Sequence, residues 1–269
     1  KPKVLVIGSS RIMQISSDDF NKQTLNLGVS GASIEDHIAI TLMALEKFQI
    51  DTILLGADPW LFNKFNNQFR WKSISKEYQI SLKNIQVNSK KNNIIQYNNY
   101  KENYVFYENI LEKLFYYLNI RKLDLDFKEN QTKNFAKTVV LRDGKKIYAS
   151  QEKQKKIKPV VIKYSMKKYL FSDEYYQTYK NFIKYLKDTH NKEVILVLPP
   201  YHKPSYNKTI KKIPFYLNSE NKFKELSQET NIKIIGSYDA DTIPCGKKEF
   251  YDFMHPKDSC MKRIINLIN

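Results

Sequence analysis

No stretch of this 269-residue chain approaches the roughly 20 consecutive apolar residues of a membrane span, and none has the charged, apolar and small-residue succession of a signal peptide. The 2 cysteines and 4 histidines fall in no spacing that suits a structural zinc site, so no metal requirement is expected. Helix-turn-helix, zinc-finger and RNA-recognition signatures are missing as well. These absences remove a membrane-spanning fold, a zinc-held fold and the common nucleic-acid modules. The chain opens on Lys1 without methionine and a strand-like run follows at once, so a trimmed or processed protein is expected and the missing signal is no argument for the cytosol.

What is present describes a globular protein. Apolar residues make up 42% and aromatics 13%, enough for a substantial core in one domain with an insertion or in two small ones. The net charge of +17, from 45 basic and 28 acidic residues, has two readings. It suits attraction to an anionic polymer, an acidic membrane surface or nucleic acid; it also follows from an AT-rich coding bias in which lysine fills solvated positions. Lys153 to Lys158, Lys167-Lys168 and Lys211-Lys212 are where a basic patch would lie. Nineteen tyrosines interleaved with basic residues keep a nucleic-acid binder open as an alternative.

Strand and helix patterns alternate. Val4 to Ile7 and Ile53 to Leu55 read as buried strands, with a helix from near Ser33 to Lys47 between them. Asp173 to Lys187 carries Tyr176, Tyr179, Phe182, Ile183 and Leu186 at helical spacing, and Val194 to Leu198 is an apolar strand ended by Pro199-Pro200. A helix around Phe223 to Thr230, a strand from Lys233 to Ile235 and a closing helix from Lys257 to Leu267 follow. This alternation predicts a mainly parallel α/β sheet covered on both faces. Residues 62 to about 170 break the rhythm. They read as an insertion forming a cap above the site edge, with a helix around Tyr104 to Leu118 and a hairpin in Thr138 to Ser150 turning at Asp143-Gly144.

Four blocks carry chemistry. Gly8-Ser9-Ser10 directly follows the first strand, and Asp252-Phe253-Met254-His255-Pro256 lies near the C-terminus. A serine hydroxyl needs an imidazole to take its proton and a carboxylate to orient that imidazole. Ser10, in a turn between strand and helix, and Asp252 with His255, three residues apart, offer those groups. Taken alone, Gly-Ser-Ser is also simple helix-cap chemistry. The intermediate segments Asn26 to Ser33 and Ile53 to Trp60 are two more strand ends, and in an open α/β sheet such ends share the edge where ligands bind.

In these four ordered blocks the chain resembles the SGNH, or GDSL-like, hydrolase superfamily. The resemblance covers the N-terminal sixty residues and roughly the last hundred. It implies a three-layer α/β/α, flavodoxin-like sheet over residues 1–269 with an inserted cap. It implies Ser10 as nucleophile, Asp252 and His255 as orienter and base, and an oxyanion hole at Ser10 and Gly31. The family's third block places an asparagine where this chain has Asp58, and an ionised carboxylate cannot donate to an oxyanion. Asp58 must then be protonated, turned away, or used on a substrate hydroxyl or amine.

Gly-Ser-Ser in place of Gly-Asp-Ser is similar to members that modify bacterial cell-envelope polysaccharides. That implies a serine-dependent O-acyltransferase or carbohydrate esterase, with no cofactor, an envelope glycan as substrate and no nucleic acid. It also implies an extracytoplasmic location with an N-terminal anchor, and a membrane-bound O-acyltransferase partner supplying the acyl group. A degenerate, glycan-binding member is the second reading. Arg11, Trp60 and His202 are candidate substrate contacts, with Arg70 at the start of the insertion able to pair with carboxylate or phosphate. Trp60 and Trp71 are also candidates for plain core anchors. His37 follows the second block, and His190 is expected in solvent. Cys245 and Cys260 bracket the base-bearing segment; an extracytoplasmic location implies a disulfide, and two free thiols are the competing state.

Overall fold

The computed structural model describes residues 1–20, 22–89, 139–148 and 169–268. Five strands form one parallel sheet: β1 (Val4–Ile7), β2 (Thr24–Asn26), β3 (Thr52–Gly56), β6 (Glu193–Leu198) and β7 (Lys233–Gly236). Their order across the sheet is β2-β1-β3-β6-β7. Winding proceeds outward in both directions from β1 and β3, so the crevice between their carboxyl ends is a topological switch point, where open α/β sheets bind ligands. Two further short strands, β4 (Val139–Val140) and β5 (Lys146–Ile147), pair antiparallel as a hairpin.

The strands are apolar on both faces because both are covered. Leu5, Ile7, Ile53, Leu55, Val194, Leu196 and Leu198 share one core with α1 (Ile34–Lys47), α2 (Ser75–Ser89), α3 (Asp173–Lys184) and α5 (Pro214–Thr230). Val4, Val6, Leu54, Ile195, Val197 and Ile235 face the opposite way and meet Ile12, Ile15, Phe250 and the closing helix α6 (Asp258–Ile265). A short helix, α4 (Lys203–Lys208), follows β6.

The helix starting near Ser33 is fixed by a reciprocal cap. Ser33 Oγ accepts from the Asp36 amide at 3.3 Å, and Asp36 Oδ2 accepts from the Ser33 amide at 2.9 Å. α3 ends three residues earlier than its apolar spacing predicts, because Tyr185–Thr189 widens into a π turn. α5 starts nine residues before Phe223, at Pro214, whose fixed φ suits a first helical turn.

The stretch read as a cap does more than cover. α2 lies inside it, yet Tyr78, Leu82 and Ile85 are buried in the main core and the helix packs on α1. The hairpin turns at Asp143-Gly144, as the sequence predicts, and docks on the edge of β2. The Asn26 amide donates to Asp143 O at 2.7 Å and the Lys146 amide to Met13 O at 2.8 Å. Gly144 has φ +87°, and a Cβ there would stand 1.9 Å from Asn26 O, so only glycine fits this seat. The helix expected over Tyr104 to Leu118 and the lysine clusters at 153–158 and 167–168 lie outside the described residues. Lys211 and Lys212 are exposed on a short 3-10 turn.

Candidate active site

The segment after β1 folds differently from the strand-to-helix turn that the sequence suggests. Residues 10–14 pass through consecutive turns, with Ile12 N donating to Ser9 O and Ile15 N to Ile12 O, both at 3.2 Å. The segment that follows Ser10 therefore presents no helix N-terminus to it. Asn26 holds these turns instead: its Nδ2 donates to Ile12 O and Ile15 O, each at 2.9 Å, and its Oδ1 accepts from the Gly28 amide at 3.0 Å. One buried carboxamide thus ties the Ser10 segment to the second block.

Ser10, His255 and Asp252 come together across 245 positions of sequence. Ser10 Oγ lies 2.8 Å from His255 Nε2, and His255 Nδ1 lies 2.7 Å from Asp252 Oδ2. The other carboxylate oxygen, Oδ1, accepts from the amides of Met254 and His255, both at 2.9 Å. Asp252 therefore folds its own segment into a tight loop and orients the imidazole with the same side chain. Burial pushes the Asp252 carboxyl up, but bonds from the His255 ring and the two amides outweigh it and hold the group below its ordinary value. With Nδ1 donating to Asp252, Nε2 is left as the acceptor for the Ser10 hydroxyl proton.

The loop is pinned from several sides. Phe250 and Pro256 form an antiparallel bridge, the Tyr251 amide donates to His255 O at 2.9 Å, and the His202 amide donates to Phe253 O at 3.0 Å. A disulfide joins Cys245 to Cys260 across its base.

A cavity of about 310 Å³ opens beside the serine, within the range of small-ligand sites. Ser10, Ser30, Gly31 and His255 are among the residues that line it. Trp60, Phe65, Tyr201, Tyr216 and Phe253 supply aromatic surface, while Asn63, Asn66, Asn67, Gln68 and Arg70 supply polar groups. Trp60 also donates Nε1–H to Ala32 O at 2.9 Å, joining the third block to the second. Trp71, in contrast, is a core residue packed edge-on against Tyr78.

Two residues expected at the substrate are elsewhere. Arg11 is fully buried and does not line the cavity. Its Nη1 faces Asp58 Oδ1 at 3.3 Å, Nε donates to Met254 O at 3.2 Å, Nη2 donates to Pro199 O, and the guanidinium lies 4.0 Å over the Tyr201 ring. Asp58 is equally buried and off the cavity wall, so of the three fates open to it the structure selects the second: turned away, into the core. Burial raises its carboxyl, opposed by Arg11 and by hydrogen bonds from Ser9. His202 is also buried, with Nδ1 3.2 Å from Ser205 Oγ and its ring edge-on to Phe250. It acts on the loop through its backbone amide.

Of the other histidines, His37 is completely buried with Nδ1 2.8 Å from Tyr179 Oη, and burial pushes it down to about 3. His190, expected in solvent, is half-buried against the Tyr185 ring.

Sequence reasoning missed the polar wall of residues 63–68 and the role of Tyr148. That ring sits at the end of the hairpin, 5.2 Å from the Tyr251 ring and 6.2 Å from the His255 imidazole. Burial, and then the nearby Asp252 charge, push its phenol up to about 12. The hairpin turn was legible, but its docking beside Asp252 leaves no trace in local spacing. Among the described residues no group of three or more His, Cys, Asp or Glu is placed to hold a metal ion. None of their helices is long and apolar enough to cross a membrane.

No protein-family model matches this chain, and no curated protein matches it. Fold and geometry therefore carry the functional argument: a parallel α/β sheet with a Ser–His–Asp line beside its switch point.

Proposed function

We propose that this chain is an SGNH-type serine enzyme that transfers or hydrolyses an O-acyl group on a cell-envelope glycan. The observation that carries this reading is the continuous hydrogen-bond line from Asp252 through His255 to Ser10 on the wall of a cavity. Ser10 Oγ attacks the acyl carbonyl carbon while His255 Nε2 takes its proton. The carbonyl π pair moves onto oxygen, then returns to expel the leaving oxygen, which His255 protonates. Water attacking the resulting acyl-serine gives an esterase; a sugar hydroxyl gives a transferase. Aromatic rings interleaved with carboxamides suit a saccharide, and Arg70 with the +17 net charge suits one bearing carboxylate or phosphate. An extracytoplasmic location and a membrane-bound partner that supplies the acyl group belong to the same proposal; the Cys245–Cys260 disulfide supports the location.

A glycan-binding member without chemistry is the second reading, favoured by the removal of Asp58 from the cavity wall. Turnover of p-nitrophenyl acetate by the chain and by Ser10→Ala and His255→Ala decides between them. Loss of about 10³-fold or more in both variants is expected for the enzyme, with acylated oligosaccharide appearing when acceptors are added if it is a transferase. Saturable glycan binding unchanged by Ser10→Ala, with turnover no higher than in the variants, would favour the binder.

A further inference from the structure

We propose that the Gln68 side-chain amide is an oxyanion donor, supplying the N–H that Asp58 cannot. The inference rests on the serine mechanism above. An acyl-transfer transition state places negative charge on the former carbonyl oxygen, and stabilising it takes preorganised N–H groups around the nucleophile. By the resemblance to SGNH hydrolases, the backbone amides of Ser10 and Gly31 are two such groups. A third donor would be a side chain lining the same cavity, and Asp58 and Arg11 are both sealed in the core.

Gln68 lines the cavity with Ser10, Gly31 and His255. It also stands directly against Gly31: a Cβ built on that glycine would lie 2.4 Å from Gln68 Oε1, 2.9 Å from Cδ and 3.0 Å from Nε2. Gly31 has φ +64°, a conformation that favours glycine, and the Gln68 carboxamide occupies the space beside it where another residue would carry a side chain. Oxygen and nitrogen of that carboxamide are both within reach of the same point. A half-turn about the terminal bond exchanges them and presents N–H to an oxyanion bound at the Gly31 amide.

The segment carrying Gln68 is tied by side-chain-to-backbone hydrogen bonds. Asn66 Oδ1 accepts from the Gln68 amide at 2.8 Å, and the Asn66 amide donates to Asn63 O at 2.9 Å. Asn63 Oδ1 accepts from the amides of Phe65 at 3.2 Å and Leu170 at 3.1 Å. These side-chain-to-backbone bonds hold the backbone of residues 63–68 beside the cavity and so place the root of the Gln68 side chain. During attack the oxyanion accepts N–H bonds from Ser10, Gly31 and Gln68; no proton leaves Gln68, and the bonds weaken again as the carbonyl reforms.

The test is p-nitrophenyl acetate turnover by wild type, Gln68→Ala, Gln68→Glu and Ser10→Ala, with thermal melts confirming that each is folded. Gln68→Ala is expected to lower kcat by about 10²-fold with little change in KM. Gln68→Glu keeps the shape but donates only when protonated, so towards pH 4.5 its rate should rise above that of Gln68→Ala, which relief of charge repulsion alone would not produce. If Gln68→Ala keeps wild-type kcat while Ser10→Ala is inactive, Gln68 is no donor and the serine mechanism survives. If wild type is no faster than Ser10→Ala, the serine mechanism itself falls and takes this inference with it.

Discussion

Ser10 and Arg11 are neighbours in sequence and opposites in environment. Each pairs with an acid far away along the chain: Ser10 through His255 with Asp252, and Arg11 with Asp58. Ser10 and His255 of the first set line the cavity, and the imidazole stays partly open to solvent. The second is sealed in the core, with carbonyls of Pro199 and Met254 completing the guanidinium's bonds. The comparison separates what reacts from what holds. The Arg11 side chain reaches the end of β6 and the loop bearing His255 at once, so it ties the base-bearing loop to the segment that carries the nucleophile.

The largest expected effect on stability comes from breaking the buried pair. Arg11→Met leaves Asp58 as an uncompensated buried carboxyl and should lower the unfolding free energy by about 3–5 kcal/mol in urea titrations. Ser10→Ala should leave it within about 0.5 kcal/mol. Adding Asp58→Leu to Arg11→Met should recover part of the loss, since two apolar groups replace the broken pair. Arg11→Met within about 1 kcal/mol of wild type would erase the proposed division of labour.

Next in size is the disulfide at the base of the loop. A cross-link closing 15 residues is worth about 3 kcal/mol when the unfolded chain is the state it constrains. Cys245→Ser with Cys260→Ser should therefore cost about that much and lower kcat, because Asp252 and His255 lie between the two positions. Mass spectrometry after alkylation without reduction should show no added groups on the wild type. Two added groups, with unchanged melting in the double variant, would leave the loop to Arg11, His202 and its own hydrogen bonds.

Parts of this arrangement were legible because they are written locally. Parallel buried strands appear as unbroken apolar runs, so β1, β3 and β6 stand out, and Ser33 with Asp36 spells a helix start. The Asp252-x-x-His255 spacing allows one tight loop to deliver both groups, and the loop is there. Arg11 and His202 were misplaced because a charged or aromatic residue after a strand end reads the same whether it turns outward or inward. For Arg11 what decides is the company of Asp58, Pro199, Tyr201 and Met254, drawn from three distant segments. Gln68 was invisible for the same reason: only the folded chain brings it against Gly31.

The smallest expected effect sets two histidines against each other. His255 sits at the cavity, whereas His37 is completely buried on α1 beside Tyr179, with burial pushing it down to about 3. A group protonated more readily in the unfolded chain than in the folded one contributes stability that is full above its unfolded value near 6.5 and fades as pH falls towards 3. Through that window the unfolded state binds the extra proton, so His37 alone should cost up to about 1.4 kcal/mol per pH unit. His37→Gln, which retains a hydrogen-bonding group for Tyr179, should flatten the fall in unfolding free energy between pH 6 and 4.5 by roughly that slope. His255→Gln should instead abolish turnover. Equal slopes in wild type and His37→Gln would mean that the buried imidazole gains its proton without unfolding, and the contrast between a reacting and a packing histidine would lose its energetic basis.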